Sequence, residues 1–286
     1  MLKRRFDPKA AAMQAVLAAR EAVGERLLGA TLYGSAAGGS AGGGSAGGGS
    51  AGGADAPGAT EFDPKRSDVN VAFVLSMLAP AELEALHPAF RRWTRLRVTR
   101  PLLLSEEDLA RSLDTFPLEY LLIRERHETL HGRDYFADLA IDRAALRSEI
   151  ERLLRTQELG LNWTYLSHAG TTSGAREWAA RAATAVAASA SGLLHLLGEP
   201  VPATRDALIG RAAARFGLEA PALALFFGGP RSARAEAGGE GAGAGEAISR
   251  GSGPVETGRV LAAAHAILTR LIEEVERLDT STLHSR

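Results

Sequence analysis

The chain has 286 residues, enough for one large domain or two modest ones with cores of their own. Its 45% hydrophobic and 23% charged residues are ordinary for a globular protein, and a net charge of -1 with a pI near 6.7 supplies no overall attraction for nucleic acid or for an anionic membrane. The absence of cysteine excludes disulfides, thiolate zinc sites and cysteine nucleophiles.

The basic start Lys3-Arg4-Arg5 runs into Phe6-Asp7-Pro8 rather than an apolar stretch, so it does not read as a signal peptide, and a cytoplasmic location is the expectation. Ala10 to Leu28 reads as a helix, with Met13, Val16, Leu17, Val23 and Leu27 on one face and Pro8 suited to the first turn. Ala30 to Tyr33 is a short strand leading to Gly34-Ser35. Residues 36–60 are Gly, Ala and Ser in low-complexity order, which reads as a flexible insertion, and residues 228–256 read the same way.

Asp68 to Leu75 carries β-branched and aromatic residues in a buried-strand run. Pro80 to Trp93 reads as a helix with Leu83, Leu86 and Phe90 on one side. Leu96 to Leu104 reads as a strand, with Pro101 marking an edge or bend. Ser105 is an N-cap before the first-turn acids Glu106, Glu107 and Asp108. Pro117 to Glu125 suits either a strand or a helix. From Arg143 onward the pattern is helical: Leu146, Ile150, Leu153 and Leu154 share a face, and helices are expected over Arg176–Leu197, Thr204–Phe216 and Thr257–Leu278. Ala182 to Leu197 is too short and too weakly apolar to span a bilayer and reads as a buried helix. Arg147, Glu151 and Arg155 read as solvated i,i+4 pairs, and Trp163, Tyr165 and Trp178 as core or interdomain contacts. The expectation is an α/β (α+β) domain with a small mixed sheet over residues 1–142, followed by an all-α domain over residues 143–286.

A strand ending in Gly34-Ser35, followed by Asp68-Val69-Asn70 on a second strand, resembles the signature of nucleotidyltransferases of the DNA polymerase β superfamily. There a Gly-Ser turn lets backbone N–H groups and a hydroxyl approach nucleotide phosphates. Two acids at i and i+2 on a strand share a face and hold Mg²⁺, and a third acid on a neighbouring strand completes the site. Leu96-Arg97-Val98-Thr99 stands where aminoglycoside-type adenylyltransferases carry that third acid. The runs Phe116 to Tyr120, Thr129 to Asp134 and Leu146-Arg147 with Glu151 are similar to bacterial nucleotidyltransferase-domain proteins. The likeness covers about residues 10–35 and 61–170. It implies a nucleotidyltransferase-like fold, nucleoside triphosphate and Mg²⁺ as ligands, and a small-molecule or protein partner. Gly34 and Ser35 would be the nucleotide-binding turn, and Asp68, Asn70 and Arg97 the three acid positions.

Two of those positions carry no acid. An amide brings Mg²⁺ no charge, and a guanidinium stays protonated and reverses the local field. At separations of about 4–6 Å such charge changes outweigh one added hydrogen bond. Asp68 alone would be a weak metal site, and impaired catalysis is the expectation, with weak nucleotide binding retained. Gly34 and Asp68 also stand 34 positions apart, more than the family shows, so the helix after Ser35 has little sequence to form from. An active adenylyltransferase would need a displaced acid, with Glu106, Glu107 or Asp108 nearest. A different chemistry is spelled by His127-Glu128-x-x-His131, the zincin motif, which binds Zn²⁺ for hydrolysis when it lies on a helix.

Overall fold

A computed structural model describes residues 6–37, 68–167, 172–227 and 254–278. The chain divides into two compact units, Met1–Asp142 and Arg143–Arg286. Most of the two low-complexity tracts lies outside the described residues. Ala36 and Ala37 are buried at the end of the first strand, and a helix has begun by Pro254.

In the first unit, α1 (Pro8–Val23) starts where the Asp7 carboxylate accepts the backbone N–H groups of Lys9 and Ala10, with Pro8 in the first turn. The helix stops at Gly24, whose φ of 60° breaks the repeat, so residues to Leu28 do not continue it. Its buried face is small: Ala11, Ala12, Ala15, Ala18 and Ala19, with Val16 and Val23. Met13 and Leu17 point outward instead of inward. The alanine face lets the helix lie close on the sheet, which the larger residues would prevent.

Four strands follow: β1 (Leu27–Tyr33), β2 (Asn70–Leu75), β3 (Leu102–Ser105) and β4 (His127–Gly132). They form one mixed sheet in the order β3-β2-β1-β4, with β1 antiparallel to both β2 and β4, and β2 parallel to β3. The parallel pair is joined by α2 (Pro80–Arg95). The run Leu96 to Pro101 is not strand: Leu96 and Arg97 close a turn after α2, and only Leu102 to Ser105 pairs with β2. Helix α3 (Glu106–Arg111) begins in a capping box in which Ser105 and Asp108 exchange hydrogen bonds, and α4 (Pro117–Glu125) is helical throughout.

Alternate residues of the strands feed two cores. Val69, Val71, Phe73 and Leu75 pack with Ala30 and Leu32 against α1 and α2. Trp93 stacks on Phe73 at 4.9 Å and donates its indole N–H to the Ala15 carbonyl. Leu83 and Phe90, expected beside Leu86, are exposed; the buried residues of α2 are Glu82, Leu86, Ala89 and Trp93. Ala72 and Val74 face the other way, onto Leu109, Tyr120, Ile123 and Phe136. This unit is therefore α+β, with helices on both faces of a small mixed sheet.

The described residues of the second unit form α5 (Arg143–Ser167), α6 (Thr172–Leu196), α7 (Arg205–Phe216), α8 (Ala220–Phe227) and α9 (Pro254–Arg277). Leu146, Ile150 and Leu154 of α5 are fully buried, as are Leu193, Leu194, Leu268 and Leu271. Arginines close three helix C-termini, where unpaired carbonyls and the helix dipole favour a cation. Arg143 donates to Leu196, Arg147 to Val275 and Leu278, and Arg270 to Phe216. Arg147 is thus a largely buried cap rather than a solvated partner of Glu151, although that ion pair is also present at 3.1 Å. Arg155 pairs with Glu158 and Glu276. Trp178 is buried beside Phe226, whereas Trp163 and Tyr165 are exposed. No helix among the described residues is long and apolar enough to cross a membrane.

Candidate functional site

The end of β1 makes a tight turn for physical reasons that need glycine. Gly34 has φ 74°, and a Cβ there would meet the Asn70 amide nitrogen at 3.0 Å. The Gly34 N–H donates to the Arg126 carbonyl at 3.2 Å, and the Gly34 carbonyl accepts from Ala37 at 3.1 Å. Arg126, just after α4, clamps the same turn from its other side: its guanidinium donates to the carbonyls of Ala37 (3.1 Å) and Ser35 (3.4 Å). A single 3-10 turn, Gly34–Ala36, stands where the resemblance implies a longer helix.

Beside this turn, Asn70 opens β2 and pairs with Tyr33. It shares strand parity with Ala72 and Val74, so its amide lies on the α4 side of the sheet. Asp68 precedes the strand, is exposed, and accepts a 3.1 Å hydrogen bond from the Thr99 hydroxyl. Arg97 sits in the turn before β3 with φ 65°, the one non-glycine residue at positive φ among those described. Its carbonyl accepts from the Val69 N–H at 2.9 Å, which brings its backbone next to β2. Its guanidinium, however, lies 5.4 Å over the Phe6 ring, and Phe6 packs on the α1 and α2 side. Gly34, Ser35, Asp68, Asn70 and the Arg97 backbone therefore gather at one end of the sheet, while the side chains of Asn70 and Arg97 leave on opposite faces.

No carboxylate of α3 reaches this end. Ser105 pairs with Leu75, five residues along β2 from Asn70, or about 16 Å at strand rise. Glu106 accepts from the Tyr135 hydroxyl at 2.7 Å, Glu107 pairs with Arg111 at 2.5 Å, and Asp108 is held below the usual carboxylate range by the Ser105 hydroxyl and backbone N–H. The displaced-acid arrangement is thus not formed by these three residues.

Asn70, Tyr33 and His127 make a row across β2, β1 and β4 on the α4 face. Burial, reinforced by the Glu119 carboxylate, pushes the Tyr33 phenol up to about 12, so it stays a neutral hydroxyl through the physiological range. Nδ1 of His127 lies 3.1 and 3.0 Å from the carbonyls of Ile123 and Arg124, and Nε2 lies 3.0 Å from the Asp134 carboxylate. Partial burial raises the Asp134 carboxyl, but hydrogen bonds from His127 and from the backbone N–H groups of Phe136 and Ala137 outweigh it and leave the group lowered. His127 is consequently a cross-brace between the end of α4 and the loop after β4.

The zincin arrangement does not form, because His127 to His131 is strand rather than helix. A bulge sets His131 opposite Ala30 while Thr129 stays opposite Thr31. His127 therefore faces the α4 core, and His131 and Glu128 face α1, where Glu128 pairs with Lys9. Among the described residues no three His, Asp or Glu side chains are placed to hold a metal.

The residues that sequence reasoning missed are Arg126, Tyr33 and Thr99. An arginine just beyond a helix is a weak signal, since its partners lie 89 and 91 positions away. Compared with known proteins, the chain matches no family model, no curated sequence and no solved structure.

Proposed function

We propose that the first unit is a nucleotidyltransferase-superfamily domain that binds a nucleoside triphosphate weakly and does not transfer it. The supporting observation is the meeting of Gly34 and Asn70: a glycine turn at the end of one strand lies directly against the second acid position of the next. The order helix, strand, turn, strand, helix, strand, with β1 antiparallel and β3 parallel to β2, suits the same reading. Metal chemistry does not. One exposed carboxylate, already accepting from Thr99, offers a divalent ion a single formal charge, whereas two-metal transfer uses several converging anionic oxygens. Nucleotide binding in this reading rests on the turn, the Asn70 amide and the Ser35 hydroxyl rather than on Mg²⁺.

Calorimetric titration with ATP, with and without Mg²⁺, tests the binding clause, and transfer of radiolabel from α-labelled ATP to a small hydroxyl compound or a protein tests the catalytic one. Weak binding indifferent to Mg²⁺ and no label transfer are expected. Label transfer that disappears in Asp68→Ala would replace this reading with an active adenylyltransferase. No binding at millimolar ATP would remove the nucleotide altogether.

A further inference from the structure

The chain as a whole carries a net charge of -1, so any attraction for a polyanion must be local, and one stretch concentrates it. At the end of α2 and in the turn before β3, the sequence holds Arg91, Arg92, Arg95, Arg97 and Arg100, with no acid among them. The dipole of α2 favours cations in its last turn, Arg92 and Arg95, but not Arg97 and Arg100 beyond it. Arg97 keeps its place in the run despite a left-handed backbone, φ 65°, which glycine or asparagine adopts with less strain.

Most of this charge is left over once the local contacts are made. Two carboxylates border the patch, and each is engaged: Glu21 pairs with Arg92 at 2.7 Å, and Asp68 accepts from Thr99 at 3.1 Å. The next acid back along α2, Glu84, stands about 10 Å from Arg91 at helical rise. The Arg97 guanidinium lies over the Phe6 ring. Arg91, Arg95 and Arg100 are exposed and form no ion pair among the described residues.

The shape of the patch indicates its ligand. At about 100° of rotation per residue, the exposed surface of the last turns of α2 runs Phe90, Thr94, Arg91, Arg95, Arg92. Arg91 and Arg95 stand about 6 Å apart along the axis, and Arg100 lies past the end of the helix. One phosphate can meet one or two of these forks, whereas a strand with a phosphate at every nucleotide can meet all three. Phe90 borders the row, 43% exposed and held edge-on against Trp93 at 6.4 Å. An exposed ring beside a row of cations suits a single strand, whose unpaired bases stack while its phosphates are neutralised. A bilayer fits less well, because insertion depends on apolar area and the outward positions Arg91 and Arg95 supply none. An acidic protein segment brings charge to the arginines without the flat base that Phe90 can stack on.

We infer that this surface of the first unit binds single-stranded nucleic acid through its phosphates. Fluorescence anisotropy of labelled oligo-dT and oligo-U, each about 20 nucleotides long, titrated with the full chain at increasing salt, tests it. The expected result is binding whose logarithm falls with log salt at a slope of about -2, from three phosphates at about 0.7 each. Arg91→Gln, Arg95→Gln and Arg100→Gln should each weaken binding severalfold and bring the slope nearer zero by about 0.7. Phe90→Ala should weaken it about fivefold or more with the slope unchanged. Arg111→Gln, which removes an exposed arginine of α3, should do neither. All of these positions are exposed, and unchanged far-UV circular dichroism confirms that each variant folds. Binding that is absent at low salt, that Arg111→Gln weakens as much as Arg91→Gln does, or that Phe90→Ala leaves unchanged overturns the inference. Tighter binding of polyglutamate or of phosphatidylserine vesicles than of either oligonucleotide overturns it as well.

Discussion

Single residues hold this fold through contacts whose loss has a calculable direction. Glu82 is buried to 1% exposure, pairs with Arg26 at 2.6 Å and accepts the Ala79 N–H at 3.0 Å. Arg26 is half-exposed and can return to water, but Glu82 cannot. Arg26→Ala should therefore destabilise the first unit by about 3 kcal/mol in urea unfolding, because it strands a buried charge. Glu82→Ala, which leaves the solvated partner behind, should cost about 1–2 kcal/mol. Gly34→Ala meets both a left-handed backbone and the Asn70 amide, and a loss of about 1–2 kcal/mol is expected. A neutral outcome for Gly34→Ala would mean that the turn is not held in this geometry. Asp134 supplies a pH-dependent contribution. Its carboxyl titrates lower in the folded protein than in the unfolded chain, so its stabilisation is complete above the ordinary aspartate value of about 3.9 and disappears as pH falls through the lowered one. Asp134→Asn should flatten the acid side of the stability profile while lowering stability at neutral pH, as read by thermal unfolding between pH 2 and pH 7.

At the scale of elements, the turn after β1 depends on a helix far along the chain. Arg126→Ala removes both guanidinium contacts to the Ser35–Ala37 carbonyls while leaving its own backbone carbonyl on the Gly34 N–H. Faster amide exchange at Gly34 to Ala37, with the rest of the sheet unchanged, is the expected hydrogen-exchange result. Much of this level was legible in the sequence. Ser105 announces a helix start through a side chain that caps it, and Pro8 marks a first turn, whereas the capping by Asp7 and Thr204 emerged only in the structure. The β-branched run into Leu75 marks the central strand, and Gly34 with Asn70 marked the end of the sheet where a site would lie. What failed did so for identifiable reasons. In an alanine-rich helix the large residues need not be the buried ones, so Met13 and Leu17 pointed to the wrong face of α1. The apolar run Leu96 to Leu104 hid a turn, since a positive φ at arginine has no sequence signature. A β-bulge turned the His127 and His131 side chains apart, and spacing along the chain carries no trace of it. Helix α8, Ala220–Phe227, is too short to separate from its apolar composition.

Across the whole molecule, a mixed-sheet unit and a helical unit use different devices. The first relies on two apolar cores on either face of one sheet, and the second on leucine-lined helices whose C-termini are closed by arginine. Arg147→Ala should therefore destabilise the helical unit by about 2 kcal/mol, with Arg147→Lys recovering only part of it, because one ammonium cannot reproduce the planar fork that spans two carbonyls and Glu151. The account of function stands on the sheet unit, where a glycine turn and an amide meet without the anions that metal-dependent transfer needs. Amide NMR of the full chain titrated with ATP tests this most directly. Shift changes centred on Gly34, Ser35 and Asn70, with the same affinity whether or not Mg²⁺ is present, are predicted. Binding that strengthens tenfold or more with Mg²⁺, or shifts that avoid these three residues, would contradict it.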